Sequence, residues 1–106
     1  MKRKQIIRDK FRNEVFQRDG YKCKVCGRND VKLDAHHIED RNEMPNGGYV
    51  KENGITLCDC QNGCHMKAER YHTTNGKDWV EGFHPMELFK LIGSNLGLAK
   101  KESEKL

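Results

Sequence analysis

Apolar residues recur at helical spacing near the amino terminus. In "KQIIRDKFRNEVFQRDGYKC", Ile7, Phe11 and Val15 fall at i, i+4 and i+8, with Phe16 beside them, giving one apolar stripe. Arg8, Arg12 and Arg18 lie off that stripe, and Asp19-Gly20 is a plausible stop. "VKLDAHHI" alternates weakly and reads as a strand, and "ITLC" as a short second one. Between them, "EDRNEMPNGGYVKENG" is a loop rich in turn formers. "CHMKAERYH" reads as a helix starting near Cys64. "HPMELFKLIGSN" is a last helix over about 85–96, with Pro85 in its first turn and Met86, Phe89 and Leu96 among its apolar positions. The charged tail, 97–106, is expected to fray. The elements predict an α+β fold in a single domain, 1–106, without repeats or linkers.

Composition sharpens this picture. Only 35% of the 106 residues are hydrophobic, so the core is thin, and a domain of this size leans on metal or disulfides. Five cysteines cannot all pair within one chain. No signal peptide, lipidation motif or membrane-length apolar run is evident, so no membrane partner is expected. The expected location is the reducing cytoplasm of a bacterium or phage-infected host, where cysteine pairs serve as ligands more often than as bridges. Charge is uneven: residues 1–28 carry ten Lys or Arg, Lys2 among them, against three acids. Such a segment suits a phosphate backbone, though a solvated helix face carries the same charge.

Two groups of metal-ligand residues stand out. Cys23 and Cys26 form a C-x-x-C knuckle, and "LCDCQNGCH" supplies a second thiolate pair for a closed structural zinc site. Cys64 is one member of that pair. Spacing favours Cys60 as the other, through C-x3-C, whereas Cys58 has the advantage of ending a strand. His65 follows Cys64 directly. Helical neighbours point about 100° apart, so Cys64 and His65 can face different sites. The adjacent His36 and His37 are candidates for that second site. For both to serve it, their strand must end or bulge there. Glu69 and His72, at i+4 and i+7 from His65, lie on the same helix face. Glu69 is a candidate ligand or a solvated acid, and His72 reads as a packing or solvent residue. His84 reads as a loop residue or cap neighbour.

"VFQRDGYKCKVCG", "DAHHI", "NGITLC" and "CHMKAE", in that order, resemble an HNH endonuclease over residues 11–72. "HPMELFKLIGS" is similar to the tail of small phage and bacterial members. The resemblance implies a ββα-metal (His-Me finger) core, stabilised by zinc and flanked by N- and C-terminal helices. It assigns His36 and His65 to a catalytic divalent metal and His37 as general base. Asn53 becomes a ligand or the residue orienting the base loop, with Glu69 as a further candidate ligand. It places structural zinc on Cys23, Cys26, Cys58 and Cys64, with Cys60 as substitute for Cys58. The usual second knuckle, C-x-x-C-H, is here stretched to C-x5-C-H.

The implied activity is hydrolysis of DNA phosphodiester bonds with magnesium, manganese, nickel or zinc. Arg8, Arg12, Arg18, Lys22 and Lys24 are the DNA-contact candidates. A monomer or weak homodimer is expected, working beside larger machinery such as a phage packaging complex. The alternatives are a non-catalytic zinc module that binds nucleic acid and a protein-interaction zinc domain. The first leaves His36, His37, Asn53 and His65 without a role, and in the second the basic charge is incidental.

Overall fold

Leu33–His37 (β1) and Gly54–Cys58 (β2) pair antiparallel, with Leu33 opposite Cys58, His36 opposite Ile55 and His37 opposite Gly54. This hairpin is the centre of the computed structural model, which describes residues 3–106. Every residue of β2 is buried, as expected for a strand covered on both faces. The connection between the strands holds three 3-10 turns, Arg41–Glu43, Pro45–Gly48 and Lys51–Asn53. Asn53 closes the neck of this connection. Its side-chain oxygen accepts from the Glu39 N–H at 3.0 Å, and its amide donates to the carbonyls of Glu39 and Gly48.

The first helix, Arg3–Arg18 (α1), lays Phe11 and Val15 against the hairpin. The approach is so close that a Cβ on Gly54 would lie 2.5 Å from Val15 Cγ2, so this position requires glycine. At the end of α1 the chain turns through Gly20 at φ +72°. Buried Asp19 then accepts the Thr56 N–H at 2.9 Å, fastening α1 to β2. Arg18 completes this suture. Its guanidinium bonds both Asp19 oxygens and donates to the carbonyls of Lys51 and Gly54. Arg18, one of the DNA-contact candidates, thus spends four of its five N–H donors on holding helix to hairpin. Lys2 lies outside the described residues.

On the other side, Cys64–Thr73 (α2) buries Cys64 and Ala68. Pro85–Leu91 (α3) starts at the cap residue His84, whose Nδ1 accepts the Met86 N–H. The expected single helix over 85–96 ends five residues early, and Met86 faces solvent. Gly93, at φ +67°, breaks it, and Asn95 caps a new helix, Leu96–Ser103 (α4), by accepting the Leu98 N–H at 2.8 Å. The tail is therefore not frayed: Ala99 and Ser103 are fully buried, and Asn46 donates to the Ser103 carbonyl. Ile38, Met44, Ile55, Leu57, Phe83, Leu88, Phe89 and Ala99 share one core with Cys23, Cys58 and Cys64. The architecture is α+β, and no described helix is long and apolar enough to cross a membrane.

Candidate metal centres

The sulfur cluster is assembled from three places in the chain. After α1, the Cys23 N–H bonds the Arg28 carbonyl, and Gly27, at φ +78°, donates back to the Cys23 carbonyl. This knuckle is tied to β2 by the Lys24 N–H on the Thr56 carbonyl. Cys58 ends β2, and Cys64 begins α2 with its N–H on Cys58 Sγ at 3.3 Å. The ligand atoms of Cys23, Cys26, Cys58 and Cys64 all lie within 4.8 Å of one another. Cys26 Sγ and Cys58 Sγ are 3.7 Å apart. Zinc–thiolate bonds of about 2.3 Å in a tetrahedron place sulfurs about 3.8 Å apart, so the cluster can hold an ion such as zinc.

Proton affinities within the cluster are uneven. Burial pushes the Cys23 thiol up, yet backbone N–H groups, that of Cys26 first, outweigh it and bring it down to about 7. Burial and the neighbouring thiols of Cys23 and Cys58 drive Cys64 upward. Four thiolates at this density need a cation between them. Cys60, half-buried on the loop before α2, stays outside the group.

The second cluster lies between the hairpin and α2. Asp34, His36 and His65 bring their ligand atoms within 4.8 Å of one another. His65 Nε2 is 3.2 Å from Asp34 Oδ2, and its Nδ1 is 3.1 Å from Asp59 Oδ1. Glu69 Oε1 is 3.3 Å from both His36 Nδ1 and His65 Nε2. His36 is almost wholly buried, its Nε2 has no hydrogen-bond partner, and burial lowers its basicity. His65 moves the other way. Its bond to Glu69 outweighs partial burial and, with help from Asp59 and Asp34, holds it at about 9. Glu69 is correspondingly pulled well below the carboxylate range by the two imidazoles. Imidazole and carboxylate ligands with room beside them form an open set, in contrast to the closed cysteine cluster.

His37 follows His36 but turns to the opposite side of β1. It stacks on Phe11, with centroids 4.6 Å apart, and meets Tyr49 edge-on at 4.7 Å. Its Nε2 is buried without a partner, which leaves Nδ1 as the nitrogen that can face outward. Burial first, then the charges of His36 and Arg41, lowers its pKa to about 4, so the imidazole is neutral at pH 7. Because β1 ends at His37, no bulge is needed: His36 and His37 both line one cleft of about 440 Å³ with Asp34, His65 and Glu69. Asp40, Arg41, Tyr49 and His72 also line it. His72, expected to be a packing or solvent residue, sits 3.1 Å from the His37 carbonyl through Nε2.

Asn53 is fully buried and its amide is bonded to Glu39 and Gly48, which suits the second of its two expected roles, orienting the loop. Asp34 and Asp59 went unassigned from the sequence. Asp34 carried a signal, because residues two apart on a strand share a face and Asp34 stands two before His36. Asp59 carried none beyond its place after Cys58. Arg8 and Arg12 lie over the rings of Tyr49 and Phe16, and Lys22 and Lys24 are exposed. No protein-family model matches the chain, and no curated protein or solved structure matches it.

Proposed function

We propose that the chain is a metal-dependent HNH endonuclease that hydrolyses DNA phosphodiester bonds. In this reading β1, β2 and α2 form the ββα-metal core. The observation that carries it is the convergence of Asp34, His36 and His65 on one point, in a cleft that His37 also lines. Zinc on Cys23, Cys26, Cys58 and Cys64 holds the domain together.

Asp34, His36 and His65, with Glu69 beside them, would hold the catalytic ion. When bound, it supplies Lewis-acid stabilisation of the charge that develops on phosphate. The donor set admits magnesium, manganese, nickel or zinc. His37, neutral at pH 7, takes a proton from water through Nδ1, and the resulting hydroxide attacks phosphorus in line. The phosphorus–O3′ bond breaks and O3′ takes a proton from solvent water, leaving a 5′ phosphate and a 3′ hydroxyl. One such site makes one nick, so a double-strand break takes two events or two chains. Exposed Arg8, Arg12, Lys22 and Lys24 supply the basic surface for the duplex.

The experiment is incubation of supercoiled plasmid with protein and divalent metal, followed by DNA ligase. Nicked circles that ligase seals directly support this chemistry, while no nicking with any of the four metals rejects it. A second reading, a zinc module that binds nucleic acid without cutting it, draws on the closure of His37 Nε2 from solvent. It expects salt-sensitive DNA binding and intact plasmid.

A further inference from the structure

Among the described residues, three arginines are ion-paired: Arg18 with Asp19, Arg28 with Asp30 and Arg70 with Asp78. Arg41 and Arg8 differ. Neither forms an ion pair with a described residue, and both gather around Tyr49. Arg41 donates through Nη1 to the Tyr49 hydroxyl at 3.0 Å, and the Arg8 guanidinium lies 5.7 Å from the centre of the Tyr49 ring. The same ring packs against His37 at 4.7 Å. Arg41 also lines the cleft that holds His36, His37 and His65.

We propose that Arg41 and Arg8, organised by Tyr49, form a two-arginine seat for backbone phosphates of DNA beside His37. The proposal rests on the nuclease reading for its substrate, but its evidence is separate from the metal ligands.

A guanidinium has five N–H donors in a planar fork that matches phosphate oxygens. Arg41 commits one nitrogen to the Tyr49 hydroxyl, so an arriving phosphate displaces no carboxylate. The cleft itself carries Asp34, Asp40 and Glu69, which repel a polyanion, and among the described residues Arg41 is the one arginine or lysine in its wall. A fixed cation at that place offsets part of the repulsion. Its position is well defined. Arg41 opens a 3-10 turn capped by the Asp40 side chain, in the connection that Asn53 pins to the hairpin. Tyr49 therefore sets the distance from phosphate seat to base with one rigid ring. Such a seat reads no base edge, so it serves any sequence.

The test is the salt dependence of binding of zinc-loaded protein to a fluorescent DNA duplex, without a second metal. Wild type, Arg41→Ala, Arg41→Lys, Arg8→Ala and Lys90→Ala are compared, Lys90 being exposed and outside the cleft lining. Each lost phosphate contact lowers the slope of log K against log salt by about one unit. The seat predicts that loss in Arg41→Ala and Arg8→Ala, wild-type slopes in Arg41→Lys and Lys90→Ala, and weaker binding in Arg41→Lys than in wild type. Unchanged slopes in both arginine-to-alanine variants overturn it, as does an equal loss in Lys90→Ala or a wild type that binds no duplex. Unchanged slopes with metal-dependent nicking would remove the seat and spare the nuclease reading. Lost slopes without nicking would do the reverse.

Discussion

Cys64 and His65 are neighbours at the start of α2, yet they serve opposite clusters. Cys64 bonds Cys58 Sγ through its N–H, while His65 Nε2 faces Asp34 at 3.2 Å. The helical turn of about 100° per residue separates their directions. This accounts for the crowding of soft and hard ligands in "LCDCQNGCH". The two clusters are then separable by mutation. His65→Ala should keep one tightly bound zinc per chain and a cooperative melt, but lose binding of the second metal and nicking. Metal analysis and calorimetry on the purified variant check this. Zinc loss in His65→Ala would show that the clusters are one.

Cys58 and Cys60 give a second contrast. Cys58 is in the sulfur cluster and Cys60 is outside it. Cys60→Ser should bind zinc normally and lose about 1 kcal/mol of stability, because the half-buried thiol packs against the core. Cys58→Ser should lose zinc and, with it, the cooperative transition. Zinc content and thermal melts of the two variants should diverge; matching behaviour would assign the site differently.

Much of this was legible in the sequence. The i, i+4, i+8 stripe of α1, the Cys23–Cys26 knuckle and the strand–helix order around His65 follow from spacing alone, whereas spacing favoured Cys60 over Cys58 for the second thiolate pair. Other parts depend on what the chain meets after folding. Arg18 looks like any exposed arginine in a basic helix until Asp19 and the carbonyls of β2 and its preceding turn come within reach. In α4, Leu96, Ala99 and Ser103 had the right spacing behind an Asn cap, but "KKESEK" obscured it with charge. Which of its two expected roles Asn53 plays was open in the sequence, because its partners on Glu39 and Gly48 are backbone groups that no sequence pattern names.

Asn53→Ala would leave the Glu39 N–H and the Gly48 carbonyl without their amide partner in a buried place. A loss of about 3 kcal/mol is expected, from a cost of about 1–3 kcal/mol per unpaired group. Urea titration should show a lower midpoint with little change in slope. Second-metal affinity of the folded variant should fall less than threefold, roughly 0.6 kcal/mol. A large affinity loss at unchanged stability would place Asn53 in the ligand set.

The acids around His65 make binding of the second metal depend on pH. Glu69 first, against burial, then Asp59 and Asp34, hold the protonated imidazole up to about 9. Metal and proton compete for Nε2, so below that value binding releases a proton. Affinity should rise about tenfold per pH unit from about pH 6 to about pH 8 and flatten near 9. Manganese calorimetry on zinc-loaded protein, in two buffers of different ionisation enthalpy, counts the protons. Affinity independent of pH with no proton released would contradict the geometry.

The most direct measurement is nicking of supercoiled plasmid by wild type and His37→Ala, without added metal and then with magnesium, manganese or nickel. The account predicts metal-dependent nicking by wild type. In His37→Ala it predicts a loss of at least about a hundredfold, with duplex binding retained. Equal nicking by both proteins, or none by wild type with any metal while it still binds DNA, would contradict it.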